Sequence, residues 1–418
     1  MESTPKGAII RVIIACCLAV SYCVVFGADH REPEAKVLYE AHQWFRLRNA
    51  IKGTRAASLY RGAVESAFNN SLSAQKDLQT IIKAVPHSEE AYRAHDLLVS
   101  LFMRAGNFQQ ALLHDEAMLA AKPSEGDAMN LHSLLAALSS YPNQIVTQRR
   151  SSKITYRIVG NNMFIPLSIN GAEVNYLLDT GATLSTISES EAARLKLRVH
   201  EVATRAEGGT GVQISVRVSV ARKLAVGGVY LRNVAFVVVP DGRPPFSGLS
   251  PGMRGIIGLP VILAFEALRW GRNGSLEIGF PPKSKNTDES NLCFDDVTLL
   301  TEVQFLQSDL SVMLDTGATH SELWPNFAKR FAKLLKESGS RNSTAVTGVG
   351  GDAEYPTAVL SELTFRLGGR DTILRPALVF LRHDADASQW HYGEVGLDIL
   401  NQGHSVTLDF RSMTLSLE

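Results

Sequence analysis

Cysteine is scarce in this chain. Of four in 418 residues, Cys16, Cys17 and Cys23 lie in one apolar amino-terminal run, and only Cys293 lies beyond it. A chain cut after that run cannot form an internal disulfide, so its core alone must hold the fold. Charge of one sign is lacking as well, because 42 Lys and Arg balance 42 Asp and Glu. That balance favours neither nucleic acid nor a strongly acidic partner. No metal pattern stands out among the histidines. His383 and His391 flank a short acidic stretch, and His87 and His95 sit in the amino-terminal third. Neither pair has a cysteine partner or the His-Glu-x-x-His spacing, and all four read as surface or loop residues.

A long hydrophobic run is missing too. Lys6 and Arg11 precede the apolar stretch Val12 to Gly27, which is short for the ~20 residues of a spanning helix. With small residues near its end, the segment 1–28 reads as a secretory signal peptide. An exported protein, periplasmic or secreted, is the expectation. A retained signal anchor is the alternative, and only then does a membrane enter. The length fits two or three domains.

What is present is a duplication. Asp-Thr-Gly-Ala-Thr occurs at Asp179–Thr183 and again at Asp315–Thr319, each time after an apolar run, Tyr176-Leu177-Leu178 and Val312-Met313-Leu314. Gly255-Ile256-Ile257-Gly258-Leu259 follows the first copy. Glu394-Val395-Gly396-Leu397-Asp398 follows the second at nearly the same distance. A glycine cluster lies between the two elements in each half, Gly208-Gly209-Thr210-Gly211 and Gly348-Val349-Gly350-Gly351. One order of features occurring twice is the mark of a duplicated domain. Two Asp side chains brought face to face can share a proton and hold a water, one acting as base and the other as acid.

On these motifs, residues 153–418 resemble a tandem retropepsin-like aspartic peptidase of the bacterial aspartyl-protease type. The resemblance implies Asp179 and Asp315 as catalytic residues and peptide or protein as substrate, with no metal or cofactor. Thr180 and Thr316 would tie the two loops together. Gly181 and Gly317 would let each loop approach its partner. Gly208, Gly209, Gly211, Gly348, Gly350 and Gly351 would sit in substrate-covering flaps, where a glycine turn suits a moving hairpin. The apolar-apolar-Gly strands would brace the Asp loops. Pepsin-like enzymes usually carry Ser or Thr where Ala182 and Ala318 stand, and alanine lacks the hydroxyl that stabilises an ionised carboxylate. A less acidic working range is therefore expected. The rival is a non-catalytic binding module built on the same two lobes.

The expected fold class is thus multidomain: an α-helical repeat-like region, then a mostly-β two-lobed peptidase. Glu90 to Lys122 shows apolar residues at three- and four-residue steps around a turn at Arg104–Asn107, similar to a tetratricopeptide unit. This region, 29–140, reads either as a groove for a protein partner or as a cap on the peptidase. The polar stretch 141–152 reads as a linker, 153–282 as the first lobe, 283–292 as the inter-lobe connection and 293–418 as the second lobe. One decoy is set aside: Gly248-Leu249-Ser250-Pro251-Gly252 matches a serine-hydrolase pattern, but Pro251 has no amide to build an oxyanion hole.

Overall fold

A computed structural model describes residues 32–54, 56–123, 127–207, 213–242, 244–281, 289–348, 351–383 and 386–418. The segment 1–28, read above as a signal peptide, lies outside the described residues, as do Gly208, Gly209, Gly211 and Gly350. No helix among the described residues is long and apolar enough to cross a membrane.

The amino-terminal third is helical, running Glu32–Glu40, Trp44–Ile51, Ser58–Ala67, Ser71–Ala84, Glu89–Arg104, Phe108–Ala121 and Asp127–Ser139. The sequence sets these ends locally. The Ser88 hydroxyl accepts from Ala91 N at 3.0 Å, Glu89 and Glu90 fill the first turn, and Arg104 fills the last. Ala91, Ala94, Leu97, Leu98, Leu101 and Phe102 make the buried stripe. Gly106 takes φ +66° after the helix end, and Asn107 caps the next helix.

The rest is two β lobes of one design. In the first, Ala172–Leu178 leads into the Asp loop. It lies parallel to Gly255–Ile257, which in turn lies antiparallel to Ser185–Ser188. In the second, Ser308–Leu314 lies parallel to Gly393–Val395, which lies antiparallel to Glu322–Leu323. Long hairpins flank both centres. Val199–Glu207 pairs with Gln213–Val226, and Ser340–Gly348 pairs with Gly351–Leu360. The lobes meet in a third sheet of Ser152–Thr155, Ser275–Ile278, Ala267–Gly271, Ser405–Asp409 and Thr414–Leu417. Ala267–Gly271 and Ser405–Asp409 pair antiparallel at its middle, so each repeat gives a strand to the junction.

One expectation changes at this level. The stretch 141–152, expected as a linker, carries the strand Ile145–Arg149 on the edge of the first-lobe sheet, paired with Val229–Val239. After the strand Glu322–Leu323 come two short helices, Pro325–Arg330 and Ala332–Ser338. Ala358 to Leu367 divides between strands ending at Leu360 and starting at Leu363. Ile373 to Leu381 divides around Arg375-Pro376, because proline gives no ladder hydrogen bond.

The helical region packs on both lobes. Gln144 N donates to Gly106 O at 3.0 Å, while its side chain donates to Pro260 O at 2.7 Å. The Asn69 side chain reaches Phe410 O at 2.9 Å. Thr204 in the first hairpin donates to Asn130 O at 2.7 Å. His42 lies 2.8 Å from the buried Asp295 carboxylate, which His391 meets on another side at 2.7 Å. His391 is therefore core, 1% exposed, and not the surface residue expected. The His383 side chain is buried too, with Nε2 3.1 Å from Glu322 Oε1. Its carboxylate partner lies far along the chain and leaves no local trace in the sequence.

Candidate active site

Each Asp loop is held from behind by its own lobe. Asp179 N donates to Ile257 O at 3.1 Å, and Leu259 N donates to Ala182 O at 2.9 Å. The second lobe repeats this, with Asp315 N to Val395 O at 3.0 Å and Leu397 N to Ala318 O at 2.9 Å. Such close backbone contact needs glycine. A Cβ on Gly258 would lie 2.6 Å from Ala182 O, and one on Gly396 would lie 2.7 Å from Ala318 O.

The two loops are also tied to each other. Thr180 Oγ1 donates to Leu314 O at 2.7 Å and accepts from Thr316 N at 3.0 Å. Thr316 Oγ1 donates to Leu178 O at 2.8 Å and accepts from Thr180 N at 3.0 Å. Both threonines are fully buried. Four bonds across the lobe junction leave the loops little freedom.

Asp179 and Asp315 meet at this junction. Both are half-buried, and their carboxyl groups share a side-chain hydrogen bond. Gly181 N and Ala182 N donate to Asp179 Oδ1 at 2.8 and 3.0 Å, and Gly317 N donates to Asp315 Oδ1 at 2.6 Å. The loop glycines allow the approach. A Cβ on Gly317 would lie 2.5 Å from Asp179 Cγ, and one on Gly181 would lie 2.5 Å from Asp315 Cγ.

Burial first, then the charge of Asp315 and the bond to it, pushes Asp179 well above the usual carboxylate range, against the pull of the Gly181 and Ala182 amides. Burial also raises Asp315, which the bond from Asp179 and the loop amides partly offset. Two carboxyls so placed cannot both ionise freely. The pair retains a proton where isolated carboxylates have lost theirs, and that proton belongs to the pair.

Of the other site residues expected, Gly348 and Gly351 pair with each other at the end of the second hairpin. His320 is exposed, and its Nδ1 lies 2.9 Å from Thr319 Oγ1. Two residues escape a motif-based reading. Ser185 Oγ accepts from Gly258 N at 3.1 Å, and Ser321 Oγ accepts from Gly396 N at 2.8 Å. These serines stand at the same step beyond their Asp in each repeat, and that shared position is the signal that could have found them.

A family model described as aspartyl protease matches residues 165–261, which include Asp179 and the bracing strand. None of the curated proteins matches the chain. Similar solved structures include a retropepsin-like aspartic protease from Rickettsia conorii, 15% identical, with TM-score 0.22 and coverage of 31% of this chain and 92% of that one. Basic 7S globulin from soybean is 11% identical, with TM-score 0.37 and coverage of 64% and 96%. The protein named edgp is 11% identical, with TM-score 0.33 and coverage of 64% and 94%. The match supports an aspartyl protease family for residues 165–261, a part of the first lobe.

Proposed function

We propose that this protein is an aspartic endopeptidase, with Asp179 and Asp315 as its catalytic pair. One observation carries the reading: two identical loops, one from each lobe, present their carboxyls to each other across a reciprocal threonine tie. In this mechanism a water sits between the two carboxyls. The ionised member takes a proton from it, and the protonated member donates to the scissile carbonyl oxygen. A tetrahedral diol forms. It collapses as the C–N bond breaks and the amine leaving group takes up a proton. The loop amides supply fixed dipoles around the pair, and half-burial strengthens them. The two hairpins, Val199–Glu207 with Gln213–Val226 and Ser340–Gly348 with Gly351–Leu360, would close over the substrate.

The substrate is then a peptide or protein, and the site is exported with the chain. We read the helical region as tetratricopeptide-like. Its bonds to both lobes favour a cap on the peptidase over a free partner groove.

Binding of a transition-state mimic tests this reading. A peptide with a hydroxyethylene group in place of the scissile amide should bind the full mature chain, and Asp179→Asn should weaken it at least ~10-fold, because transition-state analogues draw on the catalytic groups. Equal binding to both forms would favour a binding module that does not use the pair.

A further inference from the structure

The two lobes build the same wall with different chemistry. In the first, Leu177 pairs with Ile256, and Ile256 with Thr186. At the matching places in the second, Met313 pairs with Glu394, and Glu394 with Glu322. Residues paired on adjacent strands point to one side of a sheet. Val312, Leu314, Leu323 and Val395 are buried in the lobe core, so Met313, Glu394 and Glu322 point the other way. All three are half-buried. Met313 stands two residues before Asp315, so this face runs to the carboxyl pair. Glu394 is near enough that the charges of Asp315 and of Asp179 in the opposite lobe act on it.

The two glutamates differ in how they are held. Glu322 Oε1 accepts from Trp324 Nε1 at 2.8 Å and lies 3.1 Å from His383 Nε2. Among the described residues, no donor or cation engages the Glu394 carboxyl. Burial, followed by the charges of Asp315 and Glu322, pushes that carboxyl well above its usual range. An isoleucine, as at the matching Ile256, would fill the place without this cost. A lone acid on a substrate-facing wall has a physical use when the counter-charge arrives with the substrate.

We propose that Glu394 is a specificity-determining residue that selects lysine or arginine at one of the two substrate positions flanking the scissile bond. The proposal rests on the peptidase reading above. The lobe asymmetry fixes its chemistry: the acid stands on the second-lobe side, and the first-lobe counterpart carries the buried, apolar Leu177 and Ile256.

The test compares peptides that differ only by Lys or Leu at each flanking position, using the full mature chain, Glu394→Gln and Glu394→Ile. Turnover is read as the Lys-to-Leu ratio of kcat/KM. Affinity is read in parallel with hydroxyethylene isosteres of the same peptides, which report even from a slow enzyme. In the unmodified chain the ratio at one position should exceed ~10, and both variants should bring it near or below ~1, as expected for loss of a charge-assisted contact. A ratio near ~1 in the unmodified chain, or one that neither variant changes, overturns the role of Glu394 and leaves the peptidase reading standing. Absence of both cleavage and isostere binding overturns the peptidase reading, and this inference falls with it.

Discussion

Thr180 and Thr316 each accept the other's backbone amide at 3.0 Å while donating to a carbonyl of the opposite lobe. The tie is symmetric, buried and fully satisfied, so losing one hydroxyl strands partners on the other loop. Thr180→Val keeps the volume and removes the hydroxyl, leaving Thr316 N and Leu314 O unpaired. Each buried orphan costs about 1–3 kcal/mol. Urea unfolding should show that loss, and turnover should fall with it. Thr180→Ser should recover most of both. A Val variant of unchanged stability would mean that the loops are held by something else.

Gly317 tests the loop's approach to its partner. A Cβ there would lie 2.5 Å from Asp179 Cγ and 2.6 Å from its Oδ2. Gly317→Ala must push the Asp179 carboxyl aside. A displacement near 1 Å at a catalytic group lowers kcat on the order of 100-fold. Steady-state kinetics on a cleaved peptide would check this, and unchanged kcat would show that the carboxyl position is not critical.

Asp179 makes a pH prediction for stability. Its carboxyl is raised well above the usual range in the folded state, chiefly by burial and then by Asp315. A raised group gives its full contribution below its unfolded pKa of about 3.9 and loses it as pH rises through the folded value. Asp179→Asn fixes a neutral side chain there. Relative to the unmodified protein, the variant should gain thermal stability between about pH 4 and pH 8. A stability difference independent of pH would contradict the shared-proton account.

His42 and Asp295 make a second pH prediction, at the contact between helices and lobe. Burial opposes a charge on His42, but the hydrogen bond and charge of Asp295 outweigh it and raise the imidazole. Burial likewise opposes the Asp295 charge, but the hydrogen bonds from His391 and His42 hold this carboxyl far below its usual range. The His42 contribution is full below its unfolded pKa of about 6.5 and fades as pH rises through the raised value. The Asp295 contribution is present above about 3.9 and fades on acidification. The contact should therefore be strongest between about pH 4 and pH 6.5. Melting curves of His42→Ala and the unmodified chain should draw closer as pH rises through the raised His42 value, and a constant gap would exclude this ion pair as the cause.

Much of the fold around the site was legible, because the chemistry demands particular residues in one short run. Asp, a hydroxyl and glycine are adjacent in the loop, and Gly258 and Gly396 recur at matched spacing because the brace admits no side chain. The helix pair was legible through its apolar steps and the turn at Gly106 and Asn107, which act on their own neighbours, whereas the Ser88 cap was not read. The strand Ile145–Arg149 was not. It sits on a sheet edge, mostly exposed on both faces, and shows no alternation to read. The burial of His383 and His391 depends on Glu322 and Asp295, acids remote in sequence. Glu394 was read only as part of the bracing strand, because it stands at a strand position where its counterpart is Ile256.

The most direct test is cleavage of a peptide library by the purified mature chain from about pH 3 to pH 8, beside Asp179→Asn and Asp315→Asn, since one shared pair should give one bell-shaped profile. The account predicts cleavage by the unmodified chain with its maximum well above pH ~2, because a raised carboxyl pair keeps its proton at milder acidity. Neither single variant should cleave. Cleavage surviving in either variant would contradict a mechanism that needs both carboxyls.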